Sequence, residues 1–279
     1  MNLHVIHTGN FKLDGGAMFG VVPKTLWQRT NPADENNMCS WAMRCLLVEQ
    51  GDQVILIDNG IGNKQSEKFL SYYYLHGDQN LDDSLRNAGF GKEDITDMFH
   101  THLHFDHCGG GVERTGDGFE LTFPKARYWS NRDHWKWATE PNAREKASFL
   151  EENIKPIEES GHLFYVDPHE GSPFSNIDII TVDGHTDKQM LPVIHYKGET
   201  IVFVADLLPS VSHIPLPYIM GYDTRPLLTL QEKEKFLKEA ADNGYILFLE
   251  HDPVNECCTV KHTERGVRVD KTFPLKEIL

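Results

Sequence analysis

The stretch Thr101-His102-Leu103-His104-Phe105-Asp106-His107, with Cys108-Gly109-Gly110-Gly111 behind it, sets three histidines and an aspartate within residues 102–107. The preceding Ile95–His100 reads as a strand, so the cluster lies on the loop that the strand feeds. Two histidines two positions apart on an extended segment emerge on the same side. His102 and His104 can therefore reach one metal ion, while Asp106 and His107 turn toward a neighbouring position. Glycines after the cluster let the backbone bend sharply and come close to the ions, where a Cβ would collide.

Further along, three more patterns each follow a predicted strand: Val182-Asp183-Gly184-His185-Thr186, Ile201-Val202-Phe203-Val204-Ala205-Asp206 and Leu249-Glu250-His251-Asp252. An HxHxDH string, a Gly-His-Thr turn, an aspartate ending a strand and a late histidine, in that order, resemble the metallo-β-lactamase superfamily. The resemblance spans nearly the whole chain. It implies that His102, His104 and His185 bind a first metal, that Asp106, His107 and His251 bind a second, and that Asp206 bridges both. Asp58, closing Val54-Ile55-Leu56-Ile57-Asp58, is similar to the family's first-motif aspartate, which orients ligands without binding metal. Thr101 and Thr186 either hydrogen-bond to this centre or serve ordinary turn chemistry.

The chemistry so implied is hydrolysis. Two divalent cations sharing a water lower its pKa toward neutrality and supply hydroxide without a separate strong base. Asp106 is thereby counted among the catalytic residues as well as the ligands. Five imidazoles and two carboxylates suit zinc first, and the same set accepts iron, manganese or cobalt. Within the superfamily the pattern most resembles the lactonase and organophosphate hydrolase branch, which points to a small ester or lactone. Thioesterase, phosphotriesterase, β-lactamase-type and iron-dependent redox chemistries are the alternatives on the same fold. The quorum-quenching lactonases place a tyrosine three residues after the bridging aspartate, where this chain has Pro209. His213 and Tyr222, on the following loop, are the candidates to replace it.

Composition narrows the field. The chain has 279 residues, 27 basic against 42 acidic, for a formal charge of −15. Such a field repels polyanions, so nucleic acid is not an expected partner. No apolar run approaches the length that spans a bilayer, and no basic and apolar leader opens the sequence. A cytoplasmic enzyme acting on a small molecule is expected. Fifteen histidines are many for this length, as a metal centre would require. The five cysteines are odd in number and show no CxxC spacing, which signals no disulfide framework.

Strands are expected at Leu3–His7, Phe19–Val22, Ala42–Val48, Val54–Ile57, Ile177–Val182, Gln189–His195, Thr200–Ala205 and Tyr245–Leu249. Helices are expected at about 65–75, 80–89 and Gln231–Asn243. The segment at about 131–160 reads as a cap-like insertion of two helices broken at Glu140-Pro141, with Asn131 as a cap. Two successive sets of strands and helices predict a four-layer αβ/βα sandwich, an α/β fold in one domain over 1–279. Met18 and Phe19, in a glycine-rich run, either touch substrate or pack against a sheet edge. Trp135 and Trp137, with Trp129 and Phe149, either wall an apolar pocket or serve as core or as a homodimer contact.

Overall fold

The computed structural model describes residues 1–167 and 171–279. From the N-terminus the chain runs through β1 (Asn2–Asp14), α1 (Gly15–Phe19), α2 (Lys24–Trp27), β2 (Met38–Gln50), β3 (Gln53–Ile57), α3 (Glu67–Ser71), α4 (Leu81–Asn87), β4 (Asp97–Phe99), α5 (Phe105–Cys108), β5 (Val112–Thr115) and β6 (Gly118–Leu121). It continues through β7 (Arg127–Asn131), α6 (Arg132–Thr139), α7 (Glu151–Glu159), β8 (Leu163–Val166), β9 (Ile177–Val182), β10 (Gln189–Tyr196), β11 (Glu199–Phe203), α8 (Pro226–Asn243), β12 (Ile246–Phe248), β13 (Cys257–Thr263) and β14 (Gly266–Phe273). Two compact units share these elements, each made of two pieces of sequence: Met1–Asn10 with Met43–Pro173, and Phe11–Ala42 with Phe174–Leu279.

The first unit is built on a sheet ordered β1-β2-β3-β4-β7-β8. β2 and β3 form an antiparallel hairpin, and β3, β4, β7 and β8 run parallel. Parallel strands are covered on both faces and so read as continuous apolar runs, as Ile55-Leu56-Ile57 and Met98-Phe99 do, all buried. Trp135 and Ala138 of α6 and Ile154 and Ile157 of α7 join Leu56, Met98 and Tyr128 in one core cluster. Asn131 caps α6 as expected, its side chain accepting from the amides of Asp133 and His134. The insertion is thus anchored by its own apolar faces.

The second unit carries a sheet ordered β14-β13-β12-β11-β10-β9. β9, β10 and β11 form an antiparallel meander, and β12 pairs parallel to β11 after the chain has crossed through α8. That helix starts five residues before the expected Gln231, because Pro226 at its first position has its φ already set for a helix. It ends on Gly244, whose left-handed φ of 68° lets its amide return to Ala240.

One expected strand, Phe19–Val22, does not form: Phe19 ends a short helix and residues 20–22 turn away from it. Phe19 belongs to α1, whose first turn is closed by the Asp14 carboxylate accepting from the Ala17 amide. The cap outweighs the β-propensity of the apolar run that follows. No helix among the described residues is long and apolar enough to cross a membrane.

Candidate metal centre

In the first unit the parallel strand β4 ends at Phe99, and the chain bends at Thr101 before His104, extended itself, leads into α5. His102 and His104 come together on this loop, with His102 Nε2 only 3.1 Å from His104 Nδ1. Their orientation is fixed by Asp58, which stands at the end of β3 with a strained left-handed φ of 56°. The Asp58 carboxylate accepts from the Thr101 amide at 2.8 Å, from the Thr101 hydroxyl at 2.7 Å and from His107 Nδ1 at 3.1 Å. A hydroxyl has one proton, and Thr101 gives it to Asp58. Its oxygen must then accept from His102 Nδ1, 3.0 Å away. His102 and His107 are thus both held as Nδ1–H tautomers, which puts the ring lone pair on Nε2. His104 is held the other way round, with Glu145 Oε1 3.4 Å from its Nε2. Asp106 lies beside them, Oδ2 3.9 Å from His107 Nε2.

The glycines behind the cluster make a close backbone approach of their own. A Cβ on Gly109 would stand 2.1 Å from the Ile61 carbonyl oxygen, and one on Gly110 would stand 2.1 Å from that of Asn59. It is the backbone after Asp58 that approaches closely, which locks the cluster to the loop holding Asp58.

The second unit carries its own set. His185 follows β9 on a turn where a Cβ at Gly184 would meet the Thr229 amide nitrogen at 2.4 Å. The amides of Asp183 and Gly184 donate to the Glu232 carboxylate at 2.8 and 2.9 Å. Asp206 follows β11 directly, behind Ala205 with a left-handed φ of 39°. His185 Nδ1 donates to Asp223 Oδ1 at 2.9 Å, and His251 Nδ1 donates to the Ala42 carbonyl at 2.8 Å. Each ring thereby turns Nε2 toward Asp206: His185 reaches Oδ2 at 3.0 Å and His251 reaches Oδ1 at 3.1 Å. Two imidazole lone pairs aimed at the two oxygens of one carboxylate repel it unless positive charge stands with them. Burial disfavours charge on His185, yet the carboxylates of Asp206 and Asp223 outweigh it and raise this histidine to about 10. The arrangement favours a cation, and its donors are the neutral nitrogens and carboxylate oxygens that divalent metals take. Both sets consist of buried His and Asp side chains of the kinds that hold metal ions.

The model of the metallo-β-lactamase superfamily matches residues 44–251, a span that contains all seven of these side chains and Asp58. The chain belongs to the metallo-β-lactamase superfamily. It is similar over 98% of its length to a probable metal-dependent hydrolase from Staphylococcus aureus, with 28% identity, a TM-score of 0.87 and 96% of that chain covered. Two further solved structures share the fold. AidC, a dizinc quorum-quenching lactonase, matches at 22% identity and a TM-score of 0.80, over 98% of this chain and 95% of that one. The hydrolase AbOPH of the β-lactamase superfamily matches at 21% and 0.77, over 96% and 92%. The α/β sandwich class expected from the sequence is therefore the fold of this chain, and a metal-dependent hydrolase is its class of enzyme.

Around the superfamily's motif positions, the remaining candidates fall differently from expectation. His213 is buried with both ring nitrogens engaged: Nε2 donates to the Met18 carbonyl at 2.9 Å and Nδ1 accepts from the Ser210 hydroxyl at 2.9 Å. It has no nitrogen left for a substrate, so it is corrected to a structural residue. Met18 and Phe19 are buried too, Phe19 lying flat on His213 with ring centroids 4.7 Å apart. Trp135 belongs to the core of the first unit, while Trp137 is half-buried and donates to Glu145 at 2.7 Å. Tyr222 is 38% exposed, the accessible member of the pair named for the lactonase tyrosine. Thr186 is buried, and its hydroxyl has no hydrogen-bond partner among the described residues. Cys108 is a buried filler whose thiol burial pushes up to about 12.

Sequence reasoning missed three groups: Asp223, which orients His185; Glu145, beside His104; and His134, whose Nε2 accepts from the Leu103 amide at 2.9 Å. Asp223 and Glu145 lie 38 and 41 positions from the histidines they touch, with no motif around them. Only the general rule that a metal-binding histidine gives its second nitrogen to a carboxylate or carbonyl would have prompted a search for them.

Proposed function

We propose that the two sets together hold two divalent cations, zinc by preference, and that the protein hydrolyses a small ester or lactone. His102, His104 and His185 would hold one cation, and Asp106, His107 and His251 the other. Asp206 would offer one oxygen to each. The observation that carries this reading is the fixing of tautomers. The outer nitrogens of His102, His107, His185 and His251 are all committed to protein partners, which leaves each Nε2 as a lone-pair donor. When bound, such a cation pair polarises an acyl oxygen and brings the pKa of a water toward neutrality.

The chain's own residues do the rest. Asp58 and Thr101 keep the first set in register. Asp223 and the Ala42 carbonyl do the same for the second, so little reorganisation is left for the moment of reaction. Tyr222 is the candidate phenol to steady the substrate's acyl oxygen or leaving group, in the role left open at Pro209. The likeness to AidC, itself a dizinc lactonase, supports ester or lactone bonds as the substrate class.

Metal analysis of the purified protein, coupled to a panel of lactones, esters, thioesters and phosphotriesters, tests this. Two equivalents of metal and turnover of an ester or lactone, lowered about 100-fold in Tyr222→Phe, is the expected result. A protein that holds two metals yet is inert across the panel would contradict the proposed substrate class.

A further inference from the structure

Among the donors of the first unit, His104 is the exception. The others whose rings are fixed present Nε2, whereas His104 presents Nδ1 to His102. Its far nitrogen meets Glu145, a carboxylate only 3% exposed that comes from the helical insertion and not from any of the superfamily motifs. The two oxygens of Glu145 are used unequally. Oε2 accepts from Trp137 Nε1 at 2.7 Å and from Asn142 Nδ2 at 2.6 Å, so two donors hold it in place. Oε1 is turned to His104 Nε2 at 3.4 Å. Phe149, from the same insertion, packs on the imidazole with ring centroids 4.9 Å apart and the planes tilted by 47°. The ring is thus contacted from one segment by both a carboxylate and an aromatic ring.

We infer that Glu145 is a positioning residue for the metal centre: by accepting the Nε2 proton it forces His104 into the tautomer whose Nδ1 lone pair can serve as a ligand, and its charge strengthens that lone pair. The inference rests on the two-cation reading above and adds to it a residue of this chain's own insertion. It has an unusual consequence. Trp137 and Asn142 both donate, so whatever stands at 145 must keep an oxygen on their side. In Glu145→Gln the single amide oxygen is claimed there, and the NH2 group is left facing His104. An NH2 group is itself a donor, so His104 Nε2 must become the acceptor and the proton must move to Nδ1. The isosteric variant therefore supplies the wrong tautomer, while Glu145→Ala supplies no preference at all.

The test is a zinc competition titration against a chromophoric chelator on the full-length protein, comparing wild type with Glu145→Gln and Glu145→Ala, with thermal melting of each metal-free form as a control for folding. Loss of an outer partner of this kind weakens metal binding about 10- to 100-fold. The expected result is that loss at one of two sites, at least as large in Glu145→Gln as in Glu145→Ala, with the other site within about twofold of wild type and the Gln variant melting like the parent. Unchanged affinities, equal weakening of both sites, or Gln restoring wild-type affinity where Ala does not would each overturn the inference while leaving the two-cation reading intact. Wild-type protein that takes up no zinc would sink that reading itself, and this one with it.

Discussion

His213 shows how a loop histidine that looks chemically available becomes part of the scaffold. Its ring lies between Phe19 and the Ser210 hydroxyl, and burial pushes it down to about 3. Folded protein therefore keeps this ring neutral at pH values where the unfolded chain, with a pKa near 6.5, binds a proton. The unfolded state then carries more protons, so stability falls as pH drops below 6.5 and continues to fall down to about 3. Unfolding free energies from denaturant titrations at pH 6.5 and pH 5 should differ by more in the wild type than in His213→Gln, by an amount of order 2 kcal/mol from this one group. Equal pH dependence in the two proteins would show that His213 is not held neutral. The sequence carried no sign of this, because the Met18 carbonyl that fixes the ring lies 195 positions away. The ordered string His102, His104, Asp106, His107 was legible for the opposite reason, since one short loop and one turn of helix supply it.

At the scale of elements, the strands that sequence read well are those with continuous apolar runs between turn residues. Ile177–Val182 is found with its expected bounds, and Val54–Ile57 lies within β3. β7 and β8 escaped notice because they are short, and β7 also mixes polar with apolar residues; their parallel neighbours are what make them strands. The loop-on-loop contact behind the histidine cluster was also hidden, although its glycines were visible. A methyl group at Gly110 would lie 2.1 Å from a backbone oxygen, which no side-chain rotation can relieve. Gly110→Ala should destabilise the fold by about 3 kcal/mol or more. Gly118→Ala, where the nearest atom to a new Cβ is 3.8 Å away, should change stability by no more than about 0.5 kcal/mol. Thermal denaturation of the two variants side by side checks this, and similar melting of both would remove the close approach as the reason for glycine.

For the whole molecule, the seven donors and Asp58 all lie within the span matched by the superfamily model, yet they are shared between two units that each draw on separate stretches of sequence. If cations complete the centre, folding and metal binding are linked by mass action. Zinc at about 100 times its dissociation constant adds about 2.7 kcal/mol to stability. Stripping the protein with a chelator should lower its melting temperature and zinc should restore it. His104→Ala should show a smaller response, bind at least one metal fewer and lose nearly all turnover while remaining folded. A melting temperature indifferent to chelator and zinc would argue against a metal held by the folded state.

The central claim is spatial, and an anomalous-difference map at the zinc absorption edge, from crystals grown with zinc, tests it most directly. Two peaks are predicted, one about 2.0–2.1 Å from the nitrogens of His102, His104 and His185 and the other at the same distance from those of His107 and His251, with Asp206 reaching both. No peak at these side chains, or a single ion bound elsewhere on the acidic surface, would contradict the account.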